Sequence, residues 1–325
     1  MQGSRDLAIM PYKQFEGLYE LYELYELDEL DELDKLDKLD KFDELEEEGV
    51  CRNMRKLGMI GIGNIGTAIA GGLIKQKVLA PEMVAVTDFD MGKADEFARE
   101  SGASSFATNS EVAGASEVII LCVKPAIVPA VVEEIKDSLS ESKILISVAL
   151  GVSLGSLAKG SGDRCKLVRC MPNTPALVGE GMTCIAACPK LDDGDVGLIR
   201  TLFSAIGEVE FMSEDMLGKI TSLSGSSPAY IFMLMEAMAD AAVRNGVARD
   251  VAYRLAAQSV LGAAKMLKET KKHPGELKDM VCSPGGSTIE AVRYLERNGF
   301  RSSVIEAMIE CDRIASQFAK LTSEP

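Results

Sequence analysis

The sequence predicts an α/β chain: a doubly wound, mostly parallel sheet followed by an all-helical region, behind a low-complexity acidic N-terminal extension. Between about residues 55 and 215, short apolar strands alternate with helical segments, which is the pattern of such a sheet. After about residue 215 the strand pattern stops and long helical segments follow. Before residue 54, leucine or phenylalanine recurs at every third position from Leu18 to Leu45.

That three-residue period matches neither the 3.6-residue period of a helix nor the two-residue period of a strand, so it forms no continuous apolar face. We therefore expect residues 1–53 to be a disordered or fraying extension without a catalytic role. A partner-binding arm is the less favoured alternative. The predicted parts of the chain are residues 1–53, 54–215 and 216–325.

Charge and composition exclude several classes of protein. The net charge is −15, and residues 1–53 contribute most of it, with 17 acidic and 6 basic side chains, so we expect no nucleic-acid partner. No apolar run approaches the roughly 18 residues of a membrane span, and no secretory signal is expected. The eight cysteines form no CxxC pair. They predict reduced thiols in a cytoplasmic protein, with no metal site.

The elements of the second part follow in order along the chain. The predicted strands are "KLGMIG", "MVAVTD", "SEVIILCV" and "KILISVAL", and "KLVRCMPNTPAL" and "MTCIAAC" extend the sheet. The helices are "TAIAGGLIKQ", "GKADEFARES", "AIVPAVVEEIKDSL" and "DDGDVGLIRTLFSAIG". In the third part, helices are predicted near 226–245, 249–270, 287–297 and 302–321. The helix at 249–270 is apolar nearly all round, which indicates burial in a bundle or at a subunit interface and favours a dimer.

The stretch "GIGNIG" directly follows the first strand and opens the first helix. In that context the first glycine permits a tight turn, the second lets the backbone approach a pyrophosphate, and the third lets helix and strand pack closely. The helix N-terminus then attracts the phosphates. This predicts a Rossmann dinucleotide site formed by Gly61, Ile62, Gly63, Asn64, Ile65 and Gly66.

An acidic residue stands at the predicted end of the second strand. Asp88 lies 22 residues after Gly66, where a carboxylate accepts hydrogen bonds from ribose hydroxyls and repels a 2′-phosphate. This favours NADH, although Asp90 and Lys93 are close enough to change the balance. The alternative is an ordinary surface aspartate at a strand end.

The stretch "CSPGGSTIEA", residues 282–291, is a second glycine-rich turn that leads into a helix. Such a turn presents unobstructed backbone N–H groups, which suit a carboxylate. A plain turn between two helices is an equally good explanation of this stretch taken alone.

Several motifs together resemble pyrroline-5-carboxylate reductase: "GMIGIGNIGTAIAGGL", "VKP", "RCMPNTPALVGEG", "LSGSSPAYIF" and "HPGELKDMVCSPGGSTIEAVRYLERNGFRS". They occur in the family's order over about residues 55–321, and nothing in the family's pattern corresponds to residues 1–53. The resemblance implies hydride transfer from NADPH or NADH to the C=N carbon of 1-pyrroline-5-carboxylate, giving L-proline. It also implies a Rossmann domain and a helical domain that interlocks in a homodimer, which in many members assembles further into rings of ten subunits.

The resemblance also implies roles for individual residues. Thr288 would hydrogen-bond the ring nitrogen and donate or relay a proton, and Lys124 would lie near the substrate carboxylate or the cofactor phosphates. Asn109 would lie near the adenosine, and Asn173 and Thr174 either near the nicotinamide or in a merely rigid loop. The substrate carboxylate would be held by Ser283, Gly285, Gly286, Ser287 and Thr288, and further cofactor contacts would come from Val123, Ala149 and Leu150.

The chain departs from the family at one position, because Lys271 stands where some members have a glutamate that touches the substrate. Glu269 is a nearby substitute, or the contact is dispensable. The only histidine, His273, precedes a proline in a loop, and we expect a structural role for it.

Two other functions compete with this reductase. A hydroxy-acid reductase of similar architecture usually needs a lysine on the long helix, and residues 226–245 contain none. Another cyclic imine as substrate or a flavin-like cofactor belongs to the same group of alternatives. A non-catalytic dinucleotide-binding scaffold is the second competitor, and it predicts cofactor binding without turnover.

Overall fold

The computed structural model describes residues 56–323, with side chains described as far as residue 317. The predicted acidic extension lies outside the described residues. The predicted doubly wound sheet is confirmed, with eight strands in the order β3-β2-β1-β4-β5-β6-β7-β8. The strands are β1 Leu57–Ile60, β2 Val84–Thr87, β3 Ser104–Ser105, β4 Val118–Leu121, β5 Ile144–Ser147, β6 Lys166–Met171, β7 Gly181–Ala187 and β8 Gly207–Phe211.

All neighbouring strands run parallel except β6 and β7, which are antiparallel. Strands β1, β2, β4 and β5 are buried at every residue, because helices cover both faces of the sheet. These helices are α1 Asn64–Lys75, α2 Met91–Ser101, α3 Asn109–Ala115, α4 Val128–Ile135, α5 Leu154–Ser161 and α6 Asp193–Ser204. Because the strands are parallel, their carboxyl ends meet along one edge of the sheet, where ligands bind in this architecture.

The predicted helical region follows β8 and is also confirmed. It contains a π-helical turn, Thr221–Ser226, between its first two helices. Helices α8 and α9 pack against each other as the most extensive helix pair of the chain. The helices are α7 Glu214–Lys219, α8 Ser227–Arg244, α9 Arg249–Thr270, α10 Pro274–Val281, α11 Ser287–Arg297 and α12 Phe300–Ser323.

Helix α12 returns to the π-helical turn. The Asp312 carboxylate accepts hydrogen bonds from the Ser222 backbone N–H at 3.0 Å and from the Ser222 hydroxyl at 2.8 Å. One residue earlier, the Cys311 thiol lies 3.2 Å from the Ser226 hydroxyl. These contacts fasten the last helix to the junction between the sheet and the helical region.

The helical region leaves much apolar surface uncovered within one chain. Helix α9, predicted to be buried in a bundle or at a subunit interface, buries only Ala252 and Ala256 among its residues. A bundle within one chain is therefore not what this helix forms, and its apolar surface remains available to a partner. Large apolar side chains exposed on helices α8 to α12 are Ile231, Phe232, Met233, Leu234, Met238, Tyr253, Leu255, Leu261, Met266, Leu267, Met280, Val281, Tyr294, Leu295, Phe300, Val304, Ile305, Ile309 and Ile314.

Candidate active site

The glycine loop after β1 has the shape that a pyrophosphate requires. Gly61 has a φ of 101°, and a Cβ there would lie 2.7 Å from the Cys122 carbonyl oxygen. A Cβ on Gly66 would collide with the Gly61 carbonyl oxygen, so helix α1 packs against the loop only because Gly66 has no side chain. A Cβ on Gly63, in contrast, would meet no atom within 4 Å. The first and third glycines serve the fold, and the second leaves open space for a ligand.

The N-terminus of α1 is open to an anion. Its N-cap residue is Gly63, and no side chain caps the helix. The first N–H groups of a helix lack partners within the helix and carry a partial positive charge. The loop and the helix therefore fit the diphosphate of a dinucleotide, held by backbone groups rather than by a charged side chain.

Asp88 follows β2 as predicted and faces this loop. Its Oδ2 accepts a hydrogen bond from the Ile62 N–H at 2.8 Å, and its Oδ1 accepts one from the Asp90 N–H at 2.9 Å. The Asp90 carboxylate in turn caps α2 by accepting from the Gly92 N–H at 3.2 Å. The two carboxylates hold the β2–α2 loop and the glycine loop together. Both place negative charge beside the glycine loop, and the predicted contact of Asp88 with the ribose stays a prediction.

The loop after β4 lies beside the glycine loop. Burial raises the pKa of Cys122 to about 12, so its thiol is neutral at physiological pH and is no nucleophile. Val123 is half-buried, and the Lys124 side chain is exposed at the start of a short 3₁₀ turn. Lys124 therefore lies at the carboxyl edge of the sheet, and its predicted place near the substrate carboxylate or the cofactor phosphates stays a prediction.

Asn109 begins helix α3, and its side-chain amide donates a 2.7 Å hydrogen bond to Glu134 Oε2 on α4. One donor of the amide is therefore used within the protein. Its predicted place near the adenosine stays a prediction.

The end of β5 opens onto a cavity of about 360 Å³. Ser147 and Ala149 are buried, and the Ala149 N–H donates to the Ser147 hydroxyl at 3.3 Å. Leu150 lines the cavity and is exposed. Arg169 lines it too, and its guanidinium lies 3.3 Å from Glu214 Oε1. Arg169 was not among the predicted site residues, although a lone arginine inside the apolar strand "KLVRCM" was a signal, because charged residues are rarely buried without a role.

Asn173 acts within the protein. Its Nδ2 donates to the Ser224 carbonyl at 3.0 Å, and its Oδ1 accepts from the Met182 N–H at 2.9 Å. Both ends of the amide are engaged, which favours the rigid-loop alternative for this residue. Thr174, the next residue, is exposed at the start of a 3₁₀ turn.

The second glycine-rich turn leads into α11. Gly285 has a φ of 69°, and the Gly286 N–H donates to the Ser283 carbonyl at 3.0 Å. The Gly286 N–H is therefore used by the turn itself, in contrast to the expectation that it binds the substrate. No side chain caps α11, so the N–H groups of Ser287 and Thr288 remain open, as they are in the first turn of any uncapped helix.

The structure does not bring this turn to the sheet within one chain. Every hydrogen bond and ion pair that it gives to residues 272–299 stays within residues 267–303. The hydroxyls of Ser283, Ser287 and Thr288 make no hydrogen bond among the described residues. The glycine loop is thus built against the sheet of its own chain, whereas the 283–288 turn has no hydrogen bond or ion pair to that sheet.

The residues before α10 are structural. The His273 ring accepts a hydrogen bond from the Gly275 N–H at 3.0 Å through Nδ1 and caps α10, as the expectation of a structural role required. Lys271 ends α9 in the left-handed conformation, with a φ of 51°. Glu269 forms an exposed ion pair at 3.4 Å with Lys265, one turn earlier on α9, and its role as a substitute for the family's glutamate stays a prediction.

The described part of the chain shows neither a metal-binding cluster nor a membrane-spanning helix. Residues 56–323 contain no group of three or more histidine, cysteine or acidic side chains that could hold a metal ion. None of the helices in that range is long and apolar enough to span a membrane.

The sheet, the glycine loop and the uncapped helix define a dinucleotide-dependent oxidoreductase, and comparison with known proteins agrees. Residues 56–151 match the family model "NADP oxidoreductase coenzyme F420-dependent", and residues 214–318 match "Pyrroline-5-carboxylate reductase dimerisation". The chain is 45% identical to pyrroline-5-carboxylate reductase of Escherichia coli (strain K12) over 266 residues, which cover 82% of this chain and 99% of that protein.

The enzyme of the same name from Arabidopsis thaliana is 42% identical over 78% of this chain and 92% of its own length. A solved pyrroline-5-carboxylate reductase from Coxiella burnetii superposes with a TM-score of 0.76 at 37% identity, over 84% of this chain and all of that one. A Plasmodium falciparum pyrroline carboxylate reductase with NADP bound gives 0.72 at 30% identity, over 83% of this chain and 98% of that one. The chain belongs to the pyrroline-5-carboxylate reductase family.

Proposed function

We propose that this chain reduces 1-pyrroline-5-carboxylate to L-proline with NADPH or NADH, the last step of proline biosynthesis. The observation that carries the proposal is the open cradle between the glycine loop and α1, in a chain that keeps the family's "SPGGST" turn. The nicotinamide cofactor, when bound, supplies the hydride for the C=N carbon. The protein supplies position, charge and a proton.

The cofactor site that we propose runs along the carboxyl edge of the sheet. The diphosphate rests on Gly61 to Gly66 and the N-terminus of α1, with Val123 and Lys124 beside it. Asp88 faces the ribose of the adenosine half, and Asn109 lies near the adenosine. Ala149 and Leu150 line the nicotinamide side. Asn173 fixes the nearby loop, and Thr174 is exposed next to it.

The substrate site that we propose is the N-terminus of α11. The N–H groups of Ser287 and Thr288, with Gly285 and the Ser283 hydroxyl, hold the substrate carboxylate, because an uncapped helix start attracts an anion. The Thr288 hydroxyl donates a proton to the ring nitrogen as hydride reaches the neighbouring carbon. One hydride and one proton convert the C=N bond to CH–NH, and water returns the proton to Thr288.

The assembly that we propose joins the two halves from different chains. The 283–288 turn makes no bond to its own sheet, and the exposed apolar side chains of α8 to α12 need a cover. A homodimer in which the turn of one chain meets the sheet of its partner completes the substrate site and buries these apolar side chains. A larger ring of dimers and the domain boundary after residue 215 belong to the same proposal.

We also propose a cytoplasmic location. Seven cysteines lie in the described part of the chain, and all seven are free thiols there, as a reducing compartment favours.

The test is oxidation of NADH and of NADPH, followed at 340 nm with 1-pyrroline-5-carboxylate as substrate. The full chain is compared with a form that begins at Met54. Turnover by both forms would establish the reaction and would show that residues 1–53 have no catalytic role. Dinucleotide binding without turnover would instead favour another imine or a non-catalytic scaffold.

A further inference from the structure

Exposed apolar side chains of the α/β part lie along a single edge. Between residues 56 and 213, every large apolar side chain that the structure leaves exposed follows the carboxyl end of a parallel strand. These are Phe89 after β2, Ile127 after β4, Leu150 after β5, and Leu177 and Val178 after β6. This is the edge that carries the glycine loop. The apolar surface therefore lies where a dinucleotide binds, and not at random.

Phe89 is the most extreme of these residues. Its exposed fraction is 107%, so its ring touches no other part of the described protein. The residues on both sides are held, because Asp88 accepts from the Ile62 N–H and the Asp90 carboxylate caps α2. The ring thus stands on a loop with fixed neighbours. An exposed aromatic ring lacks the large stabilisation that burial of its apolar surface would provide. Because the loop is held on both sides, the ring does not fold back onto the protein.

We propose that Phe89 is the stacking platform for the adenine ring of the cofactor. The acidic residue at the end of the second strand marks the ribose of the adenosine half, and Phe89 is the next residue along the chain. Adenine has two flat apolar faces, and an aromatic side chain stacks on such a face with little loss of conformational freedom. The inference rests on the dinucleotide site proposed above and assigns the residue that recognises the base.

The order of the strands separates this end of the site from the reacting end. Phe89 follows β2 and Leu150 follows β5, with β1 and β4 between them. Three inter-strand spacings amount to roughly 14 Å. The two exposed apolar residues therefore lie at opposite ends of the glycine loop, as the two rings of one dinucleotide require. Phe89 cannot serve the nicotinamide ring.

The experiment compares NADH with reduced nicotinamide mononucleotide, which lacks the adenosine half. Dissociation constants are measured without substrate on the full chain by fluorescence of the reduced nicotinamide. Phe89→Ala is expected to weaken NADH about tenfold and to change the mononucleotide less than twofold. Phe89→Tyr keeps an aromatic face and should bind NADH like the parent protein. Phe89→Leu keeps apolar volume without a π-face and should fall between them.

Two results would overturn the proposal. One is an NADH affinity of Phe89→Ala within twofold of the parent protein. The other is an equal loss for NADH and the mononucleotide, which would mean that the substitution disturbs the loop and not base recognition. If Phe89→Ala changes the sedimentation of the protein but not its NADH affinity, the ring is covered by a second copy, and the proposal fails. The dissociation constants are measured without substrate, so they test the role of Phe89 even if the chain does not reduce 1-pyrroline-5-carboxylate. The two proposals therefore fail separately.

Discussion

The chain carries two glycine-rich turns that each lead into an uncapped helix, and their surroundings differ. At residues 61–66 the glycines are required by the fold itself, because side chains on Gly61 or Gly66 would strike backbone oxygen atoms. At residues 283–288 a Cβ on Gly286 would strike only Ser283 of the same turn, and a Cβ on Gly285, whose φ is 69°, would meet no atom within 4 Å. The first turn is shaped by the chain that contains it, whereas the second lacks a covering surface. Under the proposed function, one subunit alone would form the cofactor site, and the substrate site would need a second surface.

The sharpest test of this contrast is Thr288→Ala. Loss of the hydroxyl should lower kcat by roughly one to three orders of magnitude, because proton delivery to the ring nitrogen slows. The dissociation constant for NADH should not change, since the cofactor cradle lies on the sheet. Steady-state kinetics and NADH titration measure the two quantities. Thr201→Ala on α6 is the matched control, and a normal kcat in Thr288→Ala would remove this residue from the mechanism.

The next largest effect is expected at the cofactor turn. Gly63→Ala adds a methyl group that meets no protein atom, so the free energy of unfolding should change by no more than about 1 kcal/mol. NADH binding should weaken by about tenfold or more, because the methyl group occupies the path of the diphosphate. Isothermal titration and urea unfolding separate the two effects. Gly114→Ala, also in open space, should leave binding unchanged, and unchanged binding in Gly63→Ala would argue against the cradle.

A smaller effect is expected from the charge of Asp88. Asp88→Asn can still accept the Ile62 N–H hydrogen bond but loses the negative charge that faces a 2′-phosphate. The ratio of kcat/KM for NADPH to that for NADH should rise by roughly fivefold to tenfold, since one repulsion of about 1 kcal/mol disappears. Asp137→Asn, in the turn before β5, is the control for a general change in surface charge. A constant ratio would show that Asp88 does not read the 2′ position.

The smallest effect concerns the helical region. Lys271 has a left-handed backbone that costs a non-glycine residue roughly 1 kcal/mol, so Lys271→Gly should raise the free energy of unfolding by about that amount. Lys272→Gly, without the left-handed backbone but with an ion pair to Glu276, should lower it. Urea unfolding measures both. Lys271→Glu should leave the KM for the imine unchanged. A lower KM would show that a glutamate at this position contacts the substrate, as in some members of the family.

Most of the sheet could be predicted from sequence, because buried parallel strands are continuous apolar runs. Strand β3 was missed because it consists of two exposed serines, and no apolar pattern marks it. Strand β8, "GEVEF", was also missed, although its valine and phenylalanine alternate with glutamates. Helices α3 and α5 were missed as well, because both are short and contain glycine, which weakens the helical pattern.

The candidate site likewise contains features that the sequence predicts and features that it does not. The positions of Gly61, Asp88 and Lys124 were predictable, because each follows the end of a strand that the sequence identifies. The hydrogen bond from the Asn173 amide to the Ser224 carbonyl could not be predicted, because it joins residues 51 positions apart in the sequence. The Ser222–Asp312 contact spans 90 residues and has the same cause. Local patterns reveal which element a residue occupies, but not which distant backbone group its side chain will meet.

The uncovered apolar face of helices α8 to α12 links the stability of the protein to its concentration in a cell. A subunit that must cover this face by association gains folding stability by mass action, so its melting temperature should rise with the amount of protein present. A newly made chain passes through a stage in which that surface is bare and prone to aggregate. The stability of the protein then depends on its concentration, and at low concentration the helical region would unfold before the sheet.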